Sequence, residues 1–166
     1  MKDTSSAPRS RHEQRHEQRR AASLDPYRQR RKPSGSAACA DCGAVFYRGR
    51  WSWRPAPASA RRALCPACRR IRERLPAGFV RLAGPYAREH RDALISIARR
   101  CEAAERKEHP LQRIMRVEAS GEGLVVTTTD GHLARRIGEA LHRSRRGELA
   151  YRYTRGERLL RVTWTR

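Results

Sequence analysis

The sequence has almost no lysine: Lys2, Lys32 and Lys107 are the only three among 38 basic residues. It is also short of aromatics, 6% of the chain, and of acidic residues, 17 against the 38 basic ones, which leaves a net charge of +21. No stretch approaches the roughly eighteen apolar residues of a transmembrane helix. Nor does the polar opening MKDTSSAPRS lead into the apolar run of a signal peptide. The GxxxxGK[ST], GxSxG and HExxH patterns are missing too. These absences argue against membrane insertion, secretion and the commoner enzyme classes. The expectation is a cytoplasmic, non-enzymatic protein with no membrane partner and no small-molecule substrate. Asp130 and His132 in TTTDGHLARR read as the first turn of a helix capped by Asp130, not as an acid/base pair.

What is present is arginine, whose planar fork suits phosphate and guanine edges and stacks on bases. A polyanion, and nucleic acid in particular, is the expected partner. In a reducing compartment the five cysteines serve as thiols or metal ligands rather than disulfides.

At 166 residues the chain has room for one ordinary domain, or for two small ones that need help to stay folded. Residues 1–36, with RHEQRHEQRR and RQRRKPSGS, are too polar to bury a core and read as a disordered basic tail. Its repeat sets Arg11, Arg15 and Arg19 four apart, the spacing of a basic stripe on a transient helix. His12 and His16 share that spacing but have no third ligand nearby.

Residues 37–75 hold Cys39 and Cys42 in one CxxC pair and Cys65 and Cys68 in a second, 22 residues further on. Four thiolates complete a tetrahedral shell, so a structural Zn2+ is the expected cofactor, with an iron–sulfur cluster or redox-active dithiols as the other readings. With no coordination position left for water or substrate, such a site is a staple, contributing on the order of 10 kcal/mol to folding. Gly43 and Pro66 suit the turns that aim backbone amides at cysteine sulfur. Pro55 and Pro57 mark a loop between the pairs, and CRRIRERL a short helix after the second.

Phe46, Tyr47, Trp51 and Trp53 follow the first pair, interleaved with Arg48, Arg50 and Arg54. A segment this small needs about two of the aromatics to cover the metal; the others are candidates for base stacking beside arginine–phosphate contacts. Residues 37–82 carry ten arginines against Asp41 and Glu73, a net +8 and the densest positive charge in the chain. The candidate nucleic-acid contacts are therefore Arg48, Arg50, Trp51, Trp53, Arg54, Arg61, Arg62, Arg69 and Arg70, with Arg135 and Arg136 further on.

Within residues 76–110, three- and four-residue spacing from Tyr86 through Leu94, Ile97, Ala98 and Cys101 predicts one long amphipathic helix, stopped before Pro110. Its charges nearly cancel, which suits a connector, and Cys101 reads as a small buried hydrophobe. Residues 111–166 change period. RIMRVEAS and LVVTTT flank GEG, a helix follows with Leu133, Ile137 and Leu141 on one face, and ELAYRYT and RLLRVTWTR close as two strands around Gly156. Tyr151 and Tyr153 share one face and read as packing residues. The expected fold is α+β: a disordered basic tail, a four-cysteine zinc ribbon, a long connecting helix and a ββαββ open-faced sandwich.

The pairs CADC and CPAC, the long helix, VTTTDGHLARRIGEAL, RGELAYRYT and VTWTR together resemble a bacterial zinc-ribbon family. That family is distantly similar to the zinc-ribbon N-terminal half of the archaeal and eukaryotic adaptor for large-ribosomal-subunit maturation and export. The adaptor has more paired cysteines than this chain, so what carries over is a partner, ribosomal RNA or a ribosomal subunit. The expected function is docking on that RNA during assembly or in a non-translating state. A DNA-binding or transcription-associated zinc ribbon, or a protein-interaction adaptor, stands as the alternative.

Overall fold

The computed structural model describes Tyr27 and residues 33–121, 123–154 and 159–166. Most of the expected tail, including its RHEQ repeat and the His12/His16 pair, and the turn at Gly156 lie outside the described residues.

Four three-residue strands come first: β1 (Ala37–Cys39), β2 (Val45–Tyr47), β3 (Arg50–Ser52) and β4 (Arg61–Ala63). They form a mixed sheet in the order β3-β2-β1-β4, with β1 parallel to β4 and the other pairs antiparallel. Strands this short bury little. Their cluster consists of Ala37, Ala44, Phe46, Trp51 and Ala67 with Cys39, Cys65 and Cys68. Helix α1 (Pro66–Glu73) then starts with proline at its first position, where no backbone N–H is needed, and ends at Arg74 in the left-handed region.

A larger sheet follows. β5 (Gly78–Ala83) alternates, burying Val80 and Leu82 on one side. Two helices come next, α2 (Pro85–Glu89) and α3 (Arg91–Glu108), then β6 (Ile114–Ser120), β7 (Gly123–Thr128), α4 (Gly131–Arg145), β8 (Glu148–Thr154) and β9 (Leu159–Thr165). The strand order is β6-β7-β5-β9-β8, with β5 parallel to β9. Ala87, Leu94, Ile97, Ala98, Leu133, Ala134, Ile137 and Leu141 of α2, α3 and α4 pack on Val80, Leu82, Leu124, Val126, Leu160, Val162 and Trp164 of the strands. These three helices therefore cover one face of the sheet.

Two expectations change. The succession of two strands, a helix and two strands is present, but its sheet has a fifth member, β5, at the centre. β5 comes from the segment assigned to a connector, so residues 76–110 are not a spacer. The long helix is also divided: His90, at φ −117 and ψ 33, ends α2 and starts α3. The break turns α2 onto β5 and β7, where Ala87 is fully buried, while Leu94, Ile97 and Ala98 of α3 face the same core.

Local signals in the second half hold. Asp130 caps α4 by accepting from the backbone N–H of His132 at 2.7 Å, and Gly147, at φ +90, follows its end. Tyr151 and Tyr153 pack against the core, as does half-buried Cys101, whose thiol burial pushes up to about 11.

The hairpin glycines differ in what they require. Gly121 has φ +56 and open space around it, whereas a Cβ on Gly123 would sit 2.0 Å from the Leu82 carbonyl oxygen on the neighbouring strand. Gly121→Ala should thus cost about 1 kcal/mol, the usual penalty of a left-handed residue. Gly123→Ala should cost more, about 2–3 kcal/mol, because β7 must move off β5. Urea unfolding checks the ordering through the midpoints at unchanged slope; equal midpoints for the two variants would contradict it.

Candidate metal centre and basic surface

Cys39 ends β1, and the chain turns back at once. Its backbone N–H donates to Ala44 O at 2.8 Å and its carbonyl accepts from Gly43 N–H at 3.0 Å. Gly43 sits at φ +74, a conformation that glycine adopts at little cost. Cys42 lies inside this turn. Cys65 caps the start of α1, its Sγ accepting from Cys68 N–H at 3.4 Å, and Cys68 occupies the first turn. The two turns face each other, and all four Sγ atoms lie within 4.8 Å of one another, with Cys42 and Cys65 at 3.8 Å. The predicted ligand set is thus brought together, and it can hold a metal ion.

The sulfurs differ in how readily they ionise. Burial pushes the Cys65 and Cys68 thiols up. Cys39 is also buried, but backbone N–H groups of Cys65, Cys42 and Asp41 donate to it and outweigh that effect, bringing it to about 7. A cluster that holds protons on buried sulfur needs a cation in its place to become fully ionised, so metal binding here must release protons.

One cation is already built in. Arg113, 7% exposed, enters the cluster from the chain just before β6. Its Nη2 donates to Cys42 Sγ at 3.0 Å and Cys65 Sγ at 3.4 Å, and its Nη1 to Cys68 Sγ at 3.3 Å. Nε donates to Pro110 O at 2.9 Å, which aims the fork. Burial works against its charge, but the hydrogen bond to Cys68 and the fields of Cys42, Cys68 and Cys65 outweigh that and raise its hold on the proton. Sequence reasoning missed this residue. Arg113 looks like every other arginine in a chain full of them, and it lies 45 residues beyond Cys68.

The basic positions separate by exposure. Arg48, Arg50, Arg54, Arg61, Arg62 and Arg69 are exposed. Arg48 and Gly49 form the β2–β3 hairpin tip with φ of 47° and 86°, both in the left-handed region. Tyr47 beside them is flanked by the Arg48 and Arg54 guanidinia, 5.3 and 4.2 Å from its ring centre. Trp51 is buried against Phe46, their centroids 5.6 Å apart, so its ring serves the core and does not reach solvent for base stacking. Trp53 is 39% exposed but docked, its Nε1 donating to Arg106 O at 2.6 Å. Arg70 is buried, donating to Leu75 O at 3.0 Å with its guanidinium over the Tyr27 ring. Arg135 lies over Tyr151, and Arg136 pairs with Glu105 of α3 at 2.8 Å. Phe46 and Trp51 are thus the two aromatics that cover the cluster.

Compared with family models, curated proteins and solved structures, the chain matches none.

Removing a hydrogen-bonded partner of metal ligands typically lowers metal affinity about 10–100-fold. Arg113→Gln should show that loss in a chelator competition, whereas Arg136→Gln, whose partner is Glu105, should leave affinity unchanged. Equal affinities for Arg113→Gln and the unaltered chain would contradict the role given to the guanidinium.

Proposed function

We propose that the protein is a non-enzymatic, zinc-stapled RNA-binding protein that docks on ribosomal RNA or a ribosomal subunit. The observation that carries this reading is the basic β2–β3 hairpin, whose Phe46 and Trp51 pack in one cluster with the cysteines. Arg48 is a non-glycine residue in the left-handed region, a conformation that costs about 1–2 kcal/mol. That strain sets Arg48 at a tip with Arg50 and Arg54 around Tyr47, an arrangement suited to phosphates flanking a stacked base. Arg61, Arg62 and Arg69 extend the charge. The expected contacts of Trp51 and Arg70 with RNA drop out of the reading on burial.

Zinc is the metal of this proposal. Four thiolates around Zn2+ at about 2.3 Å place the sulfurs about 3.8 Å apart, the separation observed for Cys42 and Cys65. The resulting unit carries two negative charges, which the Arg113 guanidinium partly offsets. With every ligand position taken by protein sulfur, the metal holds the hairpin in place and takes no part in a reaction. The link to the ribosome rests on the resemblance and on the charge.

Co-sedimentation of the native protein through a sucrose gradient at low and high salt, with the RNA of its fractions sequenced, tests the reading. Travel with a ribosomal subunit, lost at high salt, is expected, because each neutralised phosphate releases a counterion. Travel with DNA, with a single protein partner, or with nothing would overturn it. Zinc should be found at one per chain, and Cys65→Ala should abolish it together with the resistance of residues 37–75 to protease. Arg48→Ala with Arg50→Ala should weaken RNA binding at unchanged melting temperature; a melting shift as large as that of Cys65→Ala would contradict the separation of clip and contact.

A further inference from the structure

The helices occupy one face of the large sheet, and among the described residues its other face carries a pattern that core packing does not require. The registers place Arg116, Thr127, Phe79, Arg161 and Arg152 in one row across all five strands, and Glu118, Val125, Arg81, Thr163 and Ala150 in the next. Arg81, Arg116, Arg152 and Arg161 are exposed and face the same side as half-buried Phe79. Four cations stand against two carboxylates among the described residues, Glu118, which accepts from Arg116 at 2.9 Å, and exposed Glu148, which shares the side of Ala150 and Arg152 on β8. Arg152 and Arg161 are directly opposed in the β8–β9 register. A phosphate between these two guanidinia could accept charge-assisted hydrogen bonds from both.

The centre of the face is a stacking surface. The Arg161 guanidinium lies 4.9 Å from the centre of the Phe79 ring, so a ring and a guanidinium plane are already layered. Beside them is a groove of about 410 Å³ whose lining includes Phe79, Thr127 and the apolar Ile71, Pro76 and Met115, together with the charged Arg74, Arg116 and Glu118. That volume falls within the range of small-ligand clefts, roughly 300–1,000 Å³, and can take one unstacked base. A duplex keeps its bases stacked and cannot fill it; a single strand can.

We infer that this open sheet face binds single-stranded RNA, with one base in the Phe79 groove and the backbone held by Arg81, Arg161, Arg152 and Arg116. The inference rests on the RNA-binding reading above and assigns it a second surface, distinct from the Arg48 hairpin, together with a strandedness. β-Sheet pairing and the helix-covered core leave these side chains outside the hydrophobic clusters, so they are open to substitution.

Fluorescence anisotropy with the full chain tests it, using a labelled single-stranded RNA and the matching duplex. Phe79→Leu keeps apolar bulk but removes the aromatic face, and should weaken single-strand binding roughly tenfold while affecting the duplex less. Arg81→Glu combined with Arg161→Glu should weaken it further, and needs no change to the half-buried ring if Phe79→Leu proves unstable. Arg48→Ala with Arg50→Ala should lower binding to both RNAs. Unchanged single-strand affinity in the sheet variants, alongside a loss in the hairpin variant, would overturn the sheet inference and leave the RNA-binding reading standing. Failure of the unaltered chain to bind either RNA would overturn both.

Discussion

The Arg113 fork is the contact on which the arrangement of the molecule turns. Three cysteine sulfurs from the small sheet and α1 converge on a guanidinium that belongs to the large α/β unit. A buried arginine is tolerated only where its charge is answered, and buried cysteine sulfurs need a nearby cation to ionise. Each solves the other's problem, and the two units are thereby fixed to one another. Leu111 packs on the cysteine cluster from the same stretch, and Trp53 reaches across to the end of α3. The cysteine cluster is therefore not an independent appendage: a cation that answers it comes from the chain 45 residues beyond Cys68.

This coupling also clarifies the arginines. Arg113 and Arg70 are buried and structural, Arg136 is engaged by Glu105, and Arg135 lies over Tyr151. The hairpin arginines and those of the open sheet face are exposed, and each set surrounds an aromatic ring, Tyr47 in one case and Phe79 in the other. The same alternation of arginine and aromatic thus occurs on two surfaces that belong to different sheets.

Features coded by neighbours in the chain were legible in the sequence. The four clustered cysteines lie in two short turns, the Asp130 cap needs only the next residues, and the spacing of Leu133, Ile137 and Leu141 shows the buried face of α4. Features coded across the chain were not. GFVRLA is a clear but short alternation between Pro76 and Pro85, and its partners are residues 124–128 and 160–165, so nothing nearby marks it as a central strand. Trp51 and Trp53 are two residues apart with the same neighbours, yet one is buried in the small core and the other lies against α3. Strand pairing decides that, because Trp51 stands opposite Phe46.

The central position of β5 has a consequence for how the chain comes together. It is the earliest strand of its sheet to be synthesised, yet its parallel partner is β9, from Gly78↔Leu160 to Ala83↔Thr165. Its flanking strand β7 is available sooner, so a partial sheet of β6, β7 and β5 can assemble first, with one long edge of β5 unprotected. Closing a loop of this length is slow, and an exposed strand edge invites mispairing. The nascent protein therefore passes through a stage at which the strand destined for the centre of the sheet is its most vulnerable one, and that stage ends only when residues 159–165 have emerged to cover it.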